Sequence, residues 1–416
     1  MKKVLALVLA CVMVFGLAAC GGNSSNNTPA NNGNSAPAPE KKTYNVGMVC
    51  IGDENAAYDR NFYMAADAAK AQLAKEGIDI NWVYTYNHPE GQPVADDCEE
   101  LAGEKKCIAV FLNSYGMEPA MLKVAPEYPN TVFAGLTNEG SWKDKLDNTI
   151  NAFPSIYEGR YLAGVAAGCK LNEMIAEGKI TADKAVLGYV GAYTFAEVVS
   201  GYTAFFLGAR SVCPSATMIV KFIGSWGDPT MEAATAKDLI DNGAVLISQH
   251  SDSTTPATTA QENKVFHVGY NISMSDIAAD ASIVSSRIDW TNFFVKVIKA
   301  QINGEKQDKD YIGHGLKDGD VVLTELNTKI AAKDTAEKIK EAQEAIQSGK
   351  LQVFDTSKFT VGGQTVTHAF AIDTDGDFAA DSEEAVFDGA FHESYFQSAP
   401  YFALRIDGIT LLNEAY

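Results

Sequence analysis

Eight short segments of this 416-residue chain carry Asp, Glu, Asn, Gln or His, and in most of them an aromatic side chain stands alongside. GDENAAYD carries Asp53 and Tyr58, NSYGM carries Tyr115, TNEGSW carries Asn138, and AYTFAE carries Phe195 and Glu197. Further along, GSWGDP holds Trp226, QHSDST holds His250 and Asp252, YNISM holds Asn271 and Met274, and SSRIDW ends at Trp290. Rings supply contact area and polar groups supply orientation, so the combination suits a flat ligand of the nucleobase kind. Each ring taken singly reads equally well as packing at a lobe edge.

Catalytic signatures are sparse. No GxSxG elbow, P-loop, GxGxxG turn or HExxH helix occurs in the sequence, so the usual nucleophile, phosphate and zinc patterns are missing. His250 and Asp252 are two residues apart with no placed nucleophile, which favours a ligand or core polar role. Asp53-Glu54 reads as a solvated loop or a helix cap. Asp373-Thr374-Asp375-Gly376-Asp377 has its glycine at the fourth position, where a calcium loop needs it at the sixth, so a surface turn is expected. No enzyme activity, metal or cofactor is predicted.

The elements that position these residues follow from the hydrophobic pattern. From Tyr44 onward, short apolar runs alternate with helical stretches, the pattern of parallel sheets covered by helices. The runs TYNVGMVCI, IDINWVY, IAVFL (108–112) and TVFAGL (131–136) make one series. AVLGYVG (185–191), TMIVKFI (217–223), AVLIS (244–248) and VFHVG (265–269) make a second. Helices are predicted near 60–76, 157–169, 196–210, 230–242, 255–263, 292–303 and 329–347, with Gly77 closing the first and Asp228-Pro229 capping the fourth. The aromatic segments follow the strands, where ligands collect in open α/β sheets.

Two lobes are expected: 44–153 with about 282–320, and 154–281 with about 321–358. Residues 359–416 form a β-rich C-terminal extension of hairpins, and no purpose for it is apparent from the sequence.

The N-terminus carries an address. Lys2 and Lys3 precede an apolar run from Val4 to Leu17, the layout of a secretory signal in 1–19. Leu17-Ala18-Ala19-Cys20-Gly21 resembles a bacterial lipobox, which makes Cys20 the expected lipidated residue. The Gly-, Asn-, Ser- and Pro-rich stretch to residue 43 reads as a flexible tether, so the chain is expected outside the cytoplasm, anchored to the cell membrane by lipid. Net charge is −20, which argues against a nucleic-acid partner. Beyond Cys11 and Cys20, five cysteines remain; Cys98 and Cys107 are read either as a small disulfide loop or as buried free thiols.

Four stretches are specific enough to suggest a family: Tyr157-Glu158-Gly159-Arg160-Tyr161-Leu162-Ala163-Gly164, Phe222 to Pro229, Gln249-His250-Ser251-Asp252-Ser253, and Gly269-Tyr270-Asn271. In order and spacing they resemble the basic membrane protein family of ABC-transporter substrate-binding lipoproteins, over about Tyr44 to Phe354. The resemblance implies a type I periplasmic-binding fold, two doubly wound lobes joined by three crossings, acting as a monomer that delivers a small molecule to an ABC permease and its ATPase. Nucleoside-binding relatives stack a phenylalanine on the base, and Phe62 occupies that place. Where such relatives hold ribose with acidic residues, this sequence has Asn138 (or Thr137) and Asn271; where many carry a lysine, it has Arg287. These departures look more like a branch that binds a free base such as adenine than a nucleoside. The alternatives are a surface lipoprotein serving as a sensor or adhesin, and an exported nucleoside hydrolase.

Overall fold

The computed structural model describes residues 42–137, 146–374 and 379–415. The expected signal, Cys20 and most of the expected tether lie outside the described residues, as does Asn138. Lys41–Tyr416 forms one compact unit built around two sheets.

The first sheet contains β1 (Thr43–Val49), β2 (Asp79–Thr85), β3 (Ala109–Leu112), β4 (Val132–Gly135) and β5 (Thr149–Asn151), in the order β2-β1-β3-β4-β5, every pair parallel. Both faces are covered, which is why these strands are nearly continuous apolar runs. Val46, Met48 and Phe111 point to the face packed by α1 (Ala57–Lys75). Val49, Val110 and Leu112 point to the opposite face, packed by α2 (Gln92–Glu99) and α3 (Glu118–Val124). Each such side chain taken out of water contributes about 1.5–3 kcal/mol. Gly77, just past the end of α1, takes the left-handed conformation expected of it (φ 82°).

The second sheet has the order β11-β10-β9-β8-β6-β7-β16. It comprises β6 (Val186–Gly191), β7 (Thr217–Phe222), β8 (Leu246–Gln249), β9 (Phe266–Tyr270), β10 (Ser282–Ile288), β11 (Val321–Leu323) and β16 (Ile409–Leu411). All pairs are parallel except β10 with β11. One face is covered by α6 (Pro229–Asp241) and α7 (Thr255–Glu262). On the other lies α4 (Ile156–Ala176), against α5 (Ala196–Val212) and α9 (Thr335–Gln347). α4 is buried almost all round, as a helix apolar on every side must be. Its contact with α5 is made backbone to backbone: a Cβ on Gly164 would lie 2.0 Å from the Phe205 carbonyl oxygen, and one on Gly208 2.0 Å from that of Tyr161. The predicted cap of α6 is present, with Asp228 Oδ1 accepting from Thr230 N and Met231 N, each at 3.0 Å.

The chain passes between the sheets three times, after β5, between β10 and α8 (Thr291–Asn303), and between α8 and β11. α8 packs on α1, beside the first sheet. The second crossing therefore follows Ile288, and not residue 282 as the sequence pattern suggested, because β10 pairs with β9.

The C-terminal residues differ from expectation only in how they end. β12 (Phe370–Ile372) with β13 (Ser382–Glu384), and β14 (Val386–Phe387) with β15 (Ala390–Phe391), are short hairpins. The tail then ends as an edge strand of the second sheet, since β16 pairs with β7. The predicted 329–347 helix begins only at Thr335. All five described cysteines are free and buried. No described helix is long and apolar enough to cross a membrane.

Candidate functional site

In each sheet the strand order reverses at one point: β1 has β2 on one side and β3 on the other, and β6 has β7 and β8. Loops leaving the carboxyl ends of such strands diverge and open a crevice. Here the two crevices face each other across a small cavity. Ile51, Tyr58, Ser114, Tyr115 and Thr137 line it from the first lobe, and Glu197, Trp226, His250, Asp252 and Tyr270 from the second.

Tyr58 sits in the first turn of α1, and its hydroxyl donates to the Asn113 carbonyl after β3. Its neighbour Asp59 is buried and ties the same two loops together, accepting from Gly52 N (3.1 Å) and Asn113 Nδ2 (2.8 Å). Burial pushes the Asp59 carboxyl up to about 6, against those hydrogen bonds. Ser114 is held by Glu90, which accepts from its hydroxyl (2.6 Å) and from Gly116 N (2.7 Å).

On the other wall, His250 Nε2 lies 3.1 Å from Glu197 Oε1. Burial, and next the Arg160 guanidinium, hold the His250 pKa well below the usual range, so the ring is neutral and Nε2–H donates to the carboxylate. Arg160, itself buried, lies 3.4 Å over the Tyr270 ring and donates to the Gln249 carbonyl (3.0 Å). Glu232 Oε2 accepts from the hydroxyls of Ser251 (2.9 Å) and Ser253 (2.6 Å), which shapes the loop presenting Asp252. The Asp252 carboxyl is raised well above its ordinary value, first by burial and then by the charges of Asp59, Glu232 and Glu197.

Aromatic rings close the mouth. Tyr115 stacks on Phe195 across the cleft (5.3 Å), Phe195 on Tyr193 (5.1 Å), and Trp226 meets Tyr193 edge-on at 5.1 Å. The lobes also meet through Ala57 N, which donates to the Asp252 carbonyl at 3.0 Å. The arrangement gathers aromatic rings and the carboxyl groups of Glu197 and Asp252 around one small space between the lobes. Among the described residues, no group of three or more His, Cys, Asp or Glu is arranged to hold a metal ion; part of the Asp373–Asp377 string lies outside those residues.

Tyr58, Tyr115, Glu197, Trp226, His250 and Asp252 are thus brought together, with Phe195 at the rim. Phe62 and Trp290 are placed elsewhere. They stack on each other at 5.1 Å, both buried in the core of the first lobe. Phe62 is four residues past Tyr58 on α1, and its ring meets the Tyr58 ring edge-on at 4.9 Å from behind the cavity lining. Met274 packs under the second sheet in an apolar cluster. Asp53 stays in its own loop, bonded to Asn55 and Asn87. Asn271 has a left-handed backbone (φ 70°) and follows Tyr270 without lining the cavity. Thr137, the alternative to Asn138, does line it. Ser114 and Tyr270 were not predicted as cavity residues, although both lie in predicted segments; Glu90, Asp59 and Glu232 carry no local signal beyond a single carboxylate.

Comparison with known proteins agrees with this architecture. Residues 46–354 match the family model for Bmp, described as ABC transporter substrate-binding protein PnrA-like. A purine-binding protein of Brucella abortus is 30% identical over 77% of this chain and 85% of its own. A Haloferax volcanii protein named for ABC-transporter glucose binding is 31% identical over 77% of this chain and 76% of its own. An ABC-transporter solute-binding protein from Aeropyrum pernix superposes with a TM-score of 0.60 at 16% identity, covering 75% of this chain and 93% of that one. One from Conexibacter woesei gives 0.57 at 19%, covering 74% and 98%. These two structures establish the type I solute-binding fold. The chain belongs to the Bmp family of PnrA-like ABC transporter substrate-binding proteins.

Proposed function

We propose that this protein captures a purine base of the adenine type in the interlobe cavity and hands it to an ABC permease, while lipid on Cys20 holds it at the outer face of the cell membrane. The observation that carries the reading is the lining of the cavity: the rings of Tyr58, Tyr115, Trp226 and Tyr270, with the carboxyl groups of Glu197 and Asp252 among them. Glu197, bonded to neutral His250, offers an acceptor suited to a ligand rich in N–H donors. The Brucella relative's name adds weight.

A sugar is the second reading, supported by the Haloferax relative's name and by the general affinity of indole rings for sugar faces. It is weaker because a hexose carries hydroxyls around most of its ring, each needing partners, and the Tyr58 hydroxyl already donates to Asn113. The test is titration calorimetry of the ligand-stripped unit Lys41–Tyr416 with adenine, adenosine, guanosine, inosine and glucose. Heat with adenine above all is expected; heat with glucose alone, or with none of the purines, refutes the proposal.

A further inference from the structure

Residues 355–416 lie beyond the family match, yet they reach the junction of the lobes. The tail is fastened to the second lobe: Phe402 stacks on Phe354 at 4.2 Å, β16 pairs with β7, and Ala415 and Thr194 exchange hydrogen bonds (2.7 and 2.8 Å) beside Phe195. Between these anchors and the hairpins lies Ser398, which is fully buried.

Ser398 touches two of the three crossings at once. Its Oγ accepts from Asn151 Nδ2 (2.9 Å) and Phe153 N (3.0 Å), both on the first crossing. The same hydroxyl donates to the Asp310 carboxylate on the third, and Ser398 N donates to the other oxygen of that carboxylate at 2.9 Å. The two crossings run side by side, with Asn151 N donating to Lys309 O (2.9 Å) and Tyr311 N to Asn151 O (3.0 Å). Lobe opening in a two-lobed receptor is absorbed by torsions in a few such crossing residues. A residue bonded to both strands, and carried by a tail fixed to one lobe, must give up some of those bonds when the strands twist.

We infer that the C-terminal tail is a hinge clasp, in which Ser398 bridges the Asn151 and Asp310 crossings and holds the lobes in the closed arrangement. The clasp makes the closed cleft easier to populate without ligand, and it acts on affinity without touching the cavity. This inference does not depend on what the cavity binds.

Small-angle X-ray scattering of ligand-free Lys41–Tyr416 tests it. Ser398→Ala should raise the radius of gyration above that of the unchanged protein, which for a compact chain of this length is roughly 21 Å. Thr360→Ala, which removes an exposed tail contact with Asp407, should leave it unchanged. If Ser398→Ala loses its circular dichroism, Asn151→Ala takes its place with the same expectation. Identical scattering for the Ser398 variant, or equal expansion with Thr360→Ala, overturns the clasp.

Discussion

Gly201 faces the back of the binding wall, and an added methyl group there should weaken ligand binding without unfolding the protein. It lies on α5, and a Cβ built on it would meet His250 Nδ1 at 2.9 Å and Cε1 at 3.2 Å, with Arg160 Nε at 3.6 Å. Favourable contacts begin at ~3.5 Å, so in Gly201→Ala the imidazole must retreat by roughly half an ångström. Its bond to Glu197 is already 3.1 Å and has little room before it ceases to be a hydrogen bond. A bond to a charged group is worth about 1.5–3 kcal/mol, so misplacing Glu197 should cost roughly 10- to 150-fold in Kd. Stability should change little, since alanine in place of glycine gains about 1 kcal/mol of helix propensity against an overpacking cost of ~1–3 kcal/mol. Calorimetry with adenine and a thermal melt separate the two effects. Affinity within twofold of the unchanged protein would refute the role given to His250 and Glu197.

Three further outcomes follow from the same structure. Glu197→Gln keeps the shape but puts an amide where the ligand's N–H donors need an acceptor, so titration should show Kd raised about tenfold or more with an unchanged melting temperature. Glu393 is buried and its carboxyl is pushed up to about 7, chiefly by burial. The folded state thus keeps a proton that the unfolded chain releases near pH 4.3, and stability is lost as pH rises from there to 7, by at most about 3–4 kcal/mol. Glu393→Gln should therefore melt progressively higher than the unchanged protein between pH 5 and pH 8; a gap constant across that range contradicts the assignment. Finally, the buried thiols of Cys50, Cys98, Cys107, Cys169 and Cys213 should resist alkylation in the native protein and all react after denaturation, whereas a Cys98–Cys107 disulfide would leave three reactive sites.

The parts of this molecule that were legible in the sequence are those with a local physical cause. Strand-helix alternation produced the two sheets, and Asp228-Pro229 marked the start of α6 because an Asx cap and a first-turn proline are local devices. Tyr58, Tyr115, Glu197, Trp226, His250 and Asp252 line one cavity because they follow strand carboxyl ends, where topology alone brings loops together. Phe62 and Trp290 escaped the same logic: which turn of α1 faces the cleft, and whether the ring after β10 faces in or out, depends on lobe packing. β16 is three residues long, too short for any periodicity. Ser398 is a lone serine in an irregular tail, and its importance exists only because Asn151 and Asp310, far away in sequence, meet there.

A crystal structure of Lys41–Tyr416 grown with adenine, at a concentration well above the Kd found by titration, tests the central claim most directly. The account predicts planar density in the cavity between the lobes, against Trp226 and the tyrosine rings, with ring or exocyclic nitrogens within hydrogen-bond distance of Glu197 or Asp252. Adenine bound elsewhere on the molecule, or a cavity without it, would contradict the account.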